Sequence, residues 1–339
     1  MHIGLPGGGV AAPESASSHG IAEAEIARYL LHALRQDLAR DAGPAPGSER
    51  GVLDRVYEAL THRRFCALSR GRARGYREAI LGTLAEPFRH GEPLEFWFDI
   101  GPGYRASLRP GALPLDFEVG LGEFLMLAQV AAFIHRVAAI HPPGARFRLV
   151  VDNLCALRTN DIPIERTAGY CAQLRRLIDE MGLAQQVRLF VESEEFGADE
   201  YDALLRDAEE QPLAMQASQA EIDNVARFLG HRCSQAEAVE RIRLYRQTSA
   251  VTEQLLGKVV RGVRLTQRAT PSTLGFRSFP GGDARIQCGE LALGRSPDSG
   301  IGSILLTSRN IDLYEHARLH CASILPSTIK HVTLASRRA

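Results

Sequence analysis

The pattern of apolar positions predicts a mainly helical segment over residues 21–91. In its first part, near 21–41, apolar residues recur every three or four positions, which is the spacing of one buried helix face. These residues are Ile26, Leu30, Leu31, Leu34 and Leu38. Pro and Gly then break this helix, and two further amphipathic helices are predicted near 50–68 and 75–89. Residues 1–20 are small, polar and glycine-rich, and we expect them to form a flexible N-terminus.

Beyond this segment the pattern changes to alternating strands and helices. Short runs rich in β-branched and aromatic residues predict strands at 94–100, 146–152 and 187–193. Between them, broad apolar faces at helical spacing predict helices over about 120–140 and 164–182. This order, with right-handed crossovers, is typical of a Rossmann-like doubly wound α/β fold, in which helices cover both faces of a mostly parallel sheet.

The rest of the chain is predicted to be first helical and then β-rich. We assign residues 92–339 to one α/β domain, with a helical insertion at about 199–268 that ends in a long charged helix at 234–262. After Leu274 the pattern becomes β-like and is interrupted by glycine. The short strand candidates lie at 284–288, 301–307 and 329–335. They either add strands to the sheet or form a small lobe.

Composition and charge exclude several classes of protein. Of the 339 residues, 45% are hydrophobic and 24% are charged, which is ordinary for a globular protein with a sizeable core. Forty basic and forty acidic residues give a formal net charge of zero, which argues against nucleic acid or an acidic membrane surface as a partner. The sequence contains no run of about 18 apolar residues, so no membrane span is predicted.

The cysteines and lysines narrow the chemistry and the compartment. The six cysteines are scattered singly, which is typical of reduced thiols in the cytoplasm and not of a disulfide framework or a zinc site. No secretory signal pattern is visible at the N-terminus. Only Lys258 and Lys330 are lysines, so nearly every basic group is an arginine, which suits recognition of phosphate or carboxylate. The composition leaves homo-oligomerisation open.

The loop after the first predicted strand is a candidate binding site, because ligands of open α/β sheets bind beyond the carboxyl ends of the strands. This loop, residues 101–114, carries Tyr104, Arg105, Ser107 and Arg109. Two arginines and a hydroxyl can hold a phosphate or a carboxylate by charge-assisted hydrogen bonds; the alternative is an ordinary surface loop. No GxGxxG follows a strand and no GxxxxGK[ST] occurs, so neither a dinucleotide site nor a Walker-type nucleotide site is expected.

Further candidates follow the second and third predicted strands. Asp152, which precedes Asn153, either projects into the crevice as a general base or amine partner, or caps the following turn. Glu123 is expected to interact with the dipole at the start of its helix, with a ligand role as the alternative. We interpret the acidic run 192–195 as a solvated helix start, and its spacing matches no metal motif.

The segments between 94 and about 193 also form a recognisable series of motifs. The strand leads into IGPGYRASLRPGALP, and a helix that opens with Glu123 follows. Next come the turn and strand IHPPGARFRLVVDN and a helix, TAGYCAQLRRL, that contains Tyr170. In order and spacing this series resembles the isocyanide synthases of the pyoverdine and dityrosine biosynthesis type. A looser likeness extends from the helix at 234–262 into DARIQCGE, which contains Arg285.

The resemblance implies an enzyme of secondary metabolism that uses no cofactor. Such an enzyme condenses the α-amine of an amino acid with a pentulose phosphate, such as ribulose 5-phosphate, and leaves one carbon on the nitrogen as an isonitrile. Arg105 and Arg109 would hold the phosphate or the carboxylate. Asp152 and Tyr104 are the expected catalytic residues, with Asp152 handling the amine proton. The other residues expected to bind or orient the substrate are Ser107, Glu123, Asn153 and Arg285.

Three departures from the family pattern support an alternative. Arg105 takes the place of the family's loop lysine, and Asn153 replaces the glycine of the Asp-Gly pair. The segment 285–288 lacks the histidine of the family's Arg-Leu-Ser-Ile-His element. Because arginine keeps affinity for phosphate but supplies no titratable amine, the alternative is a divergent relative. It would form no isonitrile and would act as a binding or scaffold subunit of a biosynthetic complex.

Overall fold

The structure is a computed structural model of the whole chain. It describes residues 21–22, 24–26, 28–29, 49–66, 68–100, 119–160, 162–210, 217–229, 233–259, 261–266, 273–277, 290–296, 300–306, 316–319 and 332–335. Several predictions lie outside the described residues. They concern the N-terminus at 1–20, the C-terminal half of the first helix, and the strand candidate at 284–288.

Two helices dominate the N-terminal segment. Helix α1 spans Glu49–Leu60 and buries the apolar side of its surface. A short helix α2, Arg70–Ala73, and one 3₁₀ turn lead into helix α3, Arg77–Arg89. Helix α1 is shorter than predicted, because the chain leaves helical geometry after Leu60 and residues 61–65 form turns.

Five parallel strands form the central sheet. Three of them match the predicted strands to within two residues. The strands are β1 (Leu94–Ile100), β2 (Ala145–Val151), β3 (Val187–Val191), β4 (Val263–Thr266) and β5 (Leu274–Gly275). Their order across the sheet is β3-β2-β1-β4-β5, and all neighbouring pairs are parallel. This confirms the Rossmann-like doubly wound α/β fold.

Helices cover the two faces of this sheet. Helix α4 connects β1 to β2, a short helix α5 follows β2, and helix α6 precedes β3. The short helix α7 follows β3, and helices α8, α9 and α10 precede β4. Their bounds are Leu121–Ala138 (α4), Asn153–Asn160 (α5), Ile164–Glu180 (α6), Glu192–Glu195 (α7), Ala198–Glu210 (α8), Gln219–Leu229 (α9) and Gln235–Val259 (α10).

Alternation along β1 explains why both faces are covered. Phe96 and Phe98 point into the core cluster shared with α4 and α6, whereas Trp97 points into a second cluster with residues of α8 and α10. On the first face, the ring of Phe133 meets that of Phe96 edge-to-face at a centroid distance of 5.0 Å. The chain therefore changes faces between β3 and β4. This places the topological switch point, where ligands of such sheets bind, between β1 and β4.

The last part of the predicted helical insertion is a strand of the central sheet. Helix α10 ends at Val259, not at the predicted 262, and β4 begins at Val263 and pairs with β1. Gly262 makes this close approach possible, because its φ is +135° and an added Cβ would lie 2.5 Å from the backbone oxygen of Glu95.

We expect Gly262→Ala to destabilise the protein by about 1–3 kcal/mol, the usual cost of a backbone conformation that L side chains rarely adopt. Urea denaturation measures the change in the free energy of unfolding. Gly257→Ala is the matched control, because nothing lies within 4 Å of an added Cβ there. In the helical position 257, alanine is expected to stabilise by up to about 1 kcal/mol. Equal effects of the two substitutions would contradict the close approach at Gly262.

A second, antiparallel sheet lies in the C-terminal part. Its strands are β6 (Glu290–Ser296), β7 (Gly300–Leu306), β8 (His316–Leu319) and β9 (Val332–Ala335), in the order β7-β6-β8-β9. Strands β7 and β9 overlap the candidates at 301–307 and 329–335. These runs therefore form a separate small sheet, and Leu293 of β6 joins the main core cluster.

Among the described helices, α4 is long and apolar enough to cross a membrane by length and composition. Of its 18 residues, 61% are buried inside the protein, so this helix is the core helix of a soluble-type α/β fold. The sequence pattern predicts no membrane span, and the packing of α4 against β2 accounts for the apolar character of this helix.

Candidate active site

Three carboxyl groups meet at the carboxyl ends of neighbouring strands. Asp99 is the second-last residue of β1, Asp152 directly follows β2, and Glu192 directly follows β3. Because the three strands are parallel neighbours, their carboxyl ends lie at the same edge of the sheet. Of the three, only Asp152 was predicted as a site residue from the sequence.

The Asp152 carboxyl group is buried and incompletely paired. Its Oδ1 atom is inaccessible to solvent and has no hydrogen-bond partner among the described residues. Burial raises the pKa of Asp152 well above its usual range, and the negative charges of Glu192 and Asp99 raise it further. Arg264 opposes this shift but does not cancel it. A carboxylate whose pKa is raised is a stronger base than an ordinary aspartate, which suits it to proton transfer.

Glu192 is fully buried and fully hydrogen-bonded. Its Oε2 accepts from the backbone N–H groups of Leu154 (3.1 Å) and Cys155 (3.2 Å), and its Oε1 accepts from the Thr252 hydroxyl (2.6 Å). Burial raises the pKa of Glu192 to about 7, although these hydrogen bonds favour the charged form. The prediction of a solvated helix start is therefore wrong for Glu192, which is 0% exposed, and holds for Glu194.

Asp99 lies at the switch point between β1 and β4. Its Oδ2 accepts from the Nε (3.1 Å) and Nη2 (2.6 Å) of Arg264 on β4. Arg264 also forms an ion pair with Glu253 of α10 at 3.1 Å. The other oxygen of Asp99, Oδ1, is buried without a hydrogen-bond partner in the described part of the chain. Burial raises the pKa of Asp99, and the Arg264 guanidinium opposes this.

Asn153 ties the ends of β2 and β3 together. It is 1% exposed, its Nδ2 donates to the hydroxyls of Ser193 (2.7 Å) and Thr167 (3.2 Å), and its Oδ1 accepts from Ser193 N (3.0 Å). All of these partners are internal. The geometry gives Asn153 a structural task at the site edge, and its predicted contact with substrate stays a prediction.

Glu123 lies in the first turn of α4. Its Oε2 accepts from Gly120 N at 2.8 Å, and the Tyr170 hydroxyl donates to its Oε1 at 3.4 Å. The first contact satisfies a backbone donor at the start of the helix, as a capping carboxylate does. The contact with Tyr170 joins two of the residues that carry the family resemblance.

The other predicted site residues lie outside the described residues. They are Tyr104, Arg105, Ser107, Arg109 and Arg285. The loop that holds the first four begins directly after Ile100 at the end of β1, so it starts beside Asp99.

The buried cysteines near this edge are poor nucleophiles, because a thiolate is the reactive form. Burial raises the pKa of Cys155, whose Sγ lies 3.3 Å from the Thr248 hydroxyl, and it raises the pKa of Cys171 to about 11. Within the described ranges, no group of three His, Cys, Asp or Glu side chains is arranged to hold a metal ion.

The arrangement favours a positively charged ligand group. Arg264 is the opposing charge that acts on Asp99 and Asp152, and one oxygen of each of these two carboxyls has no hydrogen-bond partner among the described residues. Inside a protein such charge interactions are stronger than in water. A ligand amine placed here would gain a hydrogen-bond acceptor and a group able to take its proton.

Comparisons with known proteins support the fold. No protein-family model matches the chain, and no curated protein matches its sequence. The solved structure of the PvcA protein from Pseudomonas aeruginosa is similar, with a TM-score of 0.61 and 21% identity. The similarity covers 77% of this chain and 94% of that one. At this identity the likeness establishes a shared fold.

Tyrosyl-tRNA synthetases are more distant structural neighbours. The enzyme from Aeropyrum pernix has a TM-score of 0.35 and 12% identity, over 63% of this chain and 52% of that one. The enzyme from Archaeoglobus fulgidus has a TM-score of 0.36 and 11% identity, over 63% and 55%. No argument rests on scores of this size. The fold of this chain is that of PvcA over nearly the whole PvcA length.

Proposed function

We propose that this protein is a biosynthetic enzyme of the isocyanide synthase type. It would condense the amine of an amino acid with a pentulose phosphate, such as ribulose 5-phosphate, and leave one carbon on the nitrogen as an isonitrile or a related product. Two observations support this. The motif series between 94 and about 193 resembles that family, and the chain has the fold of the PvcA protein.

The observation that carries the proposal is the buried carboxyl of Asp152, whose Oδ1 has no hydrogen-bond partner in the described part of the chain. It lies at the end of β2, in the acidic position that the family pattern marks. The raised pKa of Asp152 suits a group that takes the proton from an ammonium and so exposes the nitrogen lone pair for attack on a carbonyl carbon.

In the proposed site, groups of opposite charge bind different parts of the substrates. The acidic edge formed by Asp99, Asp152 and Glu192 would receive the amine. Arg105 and Arg109, in the loop that begins at the same edge, would hold the phosphate or the carboxylate. Tyr104 and Ser107 would orient the substrate in this scheme, and Glu123, Asn153 and Arg285 would complete the binding site.

The direct test is incubation of the purified protein with the proteinogenic amino acids and ribulose 5-phosphate, followed by mass spectrometry for an isonitrile product. A protein that forms isonitriles consumes both substrates and gives a product in which the amino acid has gained one carbon. We expect this reaction to need no added cofactor. In the cell we expect it to take place in the cytoplasm. If no amino acid is consumed while an established isonitrile synthase works in parallel, the proposal is wrong.

The alternative is a binding or scaffold subunit without the reaction. The arginine at position 105, where the family carries lysine, and the absence of the family's histidine after Arg285 favour it. Thermal-shift measurements separate the two, since a ligand at 100 times its Kd stabilises by about 2.7 kcal/mol. Stabilisation by ribulose 5-phosphate supports the enzyme, and no response to any sugar phosphate or amino acid supports the scaffold.

We expect Arg105→Ala to weaken binding of ribulose 5-phosphate at least about tenfold, because hydrogen bonds to charged groups contribute roughly 1.5–3 kcal/mol. Arg105→Lys should recover only part of this loss, since a point charge cannot reproduce the guanidinium fork. Isothermal titration measures the affinity. The melting temperature is the control, because loop substitutions usually change stability by less than about 0.5 kcal/mol. Unchanged affinity in a folded Arg105→Ala protein would remove Arg105 from the site.

A further inference from the structure

The start of helix α5 has an unusual distribution of hydrogen bonds. Asp152 occupies the N-cap position, because its backbone oxygen accepts from Ala156 N at 2.9 Å. At an N-cap, an aspartate side chain normally accepts from the N–H of the second or third helical residue. Here these residues are Leu154 and Cys155, and both of their N–H groups donate to Glu192.

We infer that Glu192 is a positioning residue that caps helix α5 in place of Asp152 and thereby leaves the Asp152 carboxylate available for the substrate amine. This inference rests on the proposed function for the identity of the ligand. The capping itself is a property of the fold. It also answers a question that the sequence leaves open, namely whether Asp152 caps the following turn or projects into the crevice.

Two sets of contacts hold Glu192 in this place. Thr252 of α10 donates to Glu192 Oε1 at 2.6 Å, and the hydroxyl of Tyr201 on α8 lies 3.4 Å from the Thr252 hydroxyl. On the other side, the next residue, Ser193, forms two hydrogen bonds with Asn153, which is the residue after Asp152. The end of β3 is therefore fastened to the start of α5 through both Glu192 and Ser193.

The charged and titratable groups around Glu192 come from five elements. Asp99 on β1 and Asp152 after β2 are the carboxyls, and Arg264 on β4 is the cation that faces both. Cys155 on α5 and Tyr201 on α8 are buried groups whose pKa values burial raises, so both stay neutral. Glu192 is thus the neighbouring group whose charge acts most directly on Asp152.

The capping can be tested without any knowledge of the reaction. Hydrogen exchange at the amides of Leu154 and Cys155 reports whether they are hydrogen-bonded, and NMR resolves them individually. The variants are Asp152→Ala, Glu192→Ala and the pair, all in the full-length protein. Glu192→Gln tests rescue, since its amide oxygen can still accept from both N–H groups. Glu194→Gln is the matched control, because Glu194 lies two residues away, is exposed, and pairs with Arg175.

We expect Asp152→Ala to leave exchange at Leu154 and Cys155 unchanged within about twofold. In the double variant, exchange should be at least about fivefold faster than in the wild type, the effect of losing an ordinary helix cap. Glu192→Gln and Glu194→Gln should keep wild-type protection. Faster exchange in Asp152→Ala alone would overturn the inference, because Asp152 would then be the cap. Unchanged exchange in the folded double variant would overturn it as well.

Activity adds a second readout that a purely structural role would not move. In Glu192→Ala we expect Asp152 to turn toward the vacated cap, so that kcat falls at least about tenfold and the acidic limb of the pH–rate profile moves to lower pH. Glu192→Gln should restore kcat. A kcat unchanged in Glu192→Ala would contradict the positioning role. If the wild type forms no isonitrile, the proposed function fails while the exchange result still decides the capping.

If Glu192→Ala does not fold, Thr252→Val replaces it. This variant removes the hydroxyl that donates to Glu192 Oε1 and keeps the volume of the side chain. Loosening Glu192 in this way should accelerate exchange at Leu154 and Cys155 about twofold or more, with protection of β2 unchanged. Exchange equal to that of the wild type in Thr252→Val would count against the anchoring of Glu192 by α10.

Discussion

We expect Asp152→Asn to lower the rate of isonitrile formation by about 10²–10⁴-fold, the usual contribution of a general acid or base. The asparagine keeps the shape of the side chain and loses only its ability to take a proton. The same substitution should stabilise the folded protein at pH 8. Because burial and the charges of Glu192 and Asp99 raise the pKa of Asp152, the folded state resists the ionised form, and asparagine removes that penalty.

Two measurements on Asp152→Asn, the rate of isonitrile formation and the free energy of unfolding, test this prediction. The activity is followed by mass spectrometry, and the free energy of unfolding is measured with urea between pH 4 and pH 8. Asp179→Asn is the matched control, since Asp179 is an exposed aspartate near the end of α6. Its effect on both quantities should be small. A rate within threefold of wild type for Asp152→Asn would remove Asp152 from the chemistry, and a loss of stability at pH 8 would contradict its unfavourable burial.

Strands β1, β2 and β3 of the central sheet could be predicted from the sequence. LEFWFDI, ARFRLVV and VRLFV are short apolar runs bounded by Gly, Pro or polar turns, and strands buried on both faces have this composition. The long helix between the first two runs has an apolar face too broad for a surface helix. At these positions the apolar pattern along the sequence matches the burial in the folded protein, so the pattern alone is sufficient to predict these elements.

Strand β4 could not be predicted in the same way. Its four residues, VRLT, include a charged Arg264 and begin four positions after the end of a 25-residue helix. Its partner β1 is more than 160 residues earlier, and the pairing depends on the close approach at Gly262. Such a strand is defined by a long-range contact and not by its own periodicity. Strand β5, with two residues, is a still clearer case.

The candidate site was partly visible in the sequence. Asp152 follows an apolar strand, and that position identified it. Asp99 and Glu192 carry the same signal, a carboxylate at or just after the carboxyl end of a strand, but in the sequence each also has an ordinary structural explanation. Asp99 lies within a strand, and Glu192 begins an acidic run that includes the exposed Glu194. Thr252 gives no signal, because only the packing of α10 brings it to Glu192.

Glu192 should make the stability of this protein fall as the pH rises. The pKa of a glutamate is 4.5 in the unfolded chain and about 7 for Glu192 in the folded protein. Between these values the folded state binds more protons than the unfolded state, so the free energy of unfolding decreases with increasing pH. This contribution is fully present below pH 4.5 and is lost as the pH passes 7.

Glu192→Gln removes this titration, since glutamine carries no proton to lose. We therefore expect the free energy of unfolding of wild type minus that of Glu192→Gln to fall by on the order of 3 kcal/mol between pH 4.5 and pH 8, at 1.36 kcal/mol per pKa unit. Urea denaturation at half-unit pH steps measures the difference. Glu194→Gln, which changes an exposed carboxylate in the same short helix, should give a much smaller pH-dependent difference. A difference for Glu192→Gln that stays constant, or rises with pH, would show that the buried carboxyl of Glu192 does not resist ionisation. The capping of α5 would then involve a carboxylate that stays charged throughout this pH range.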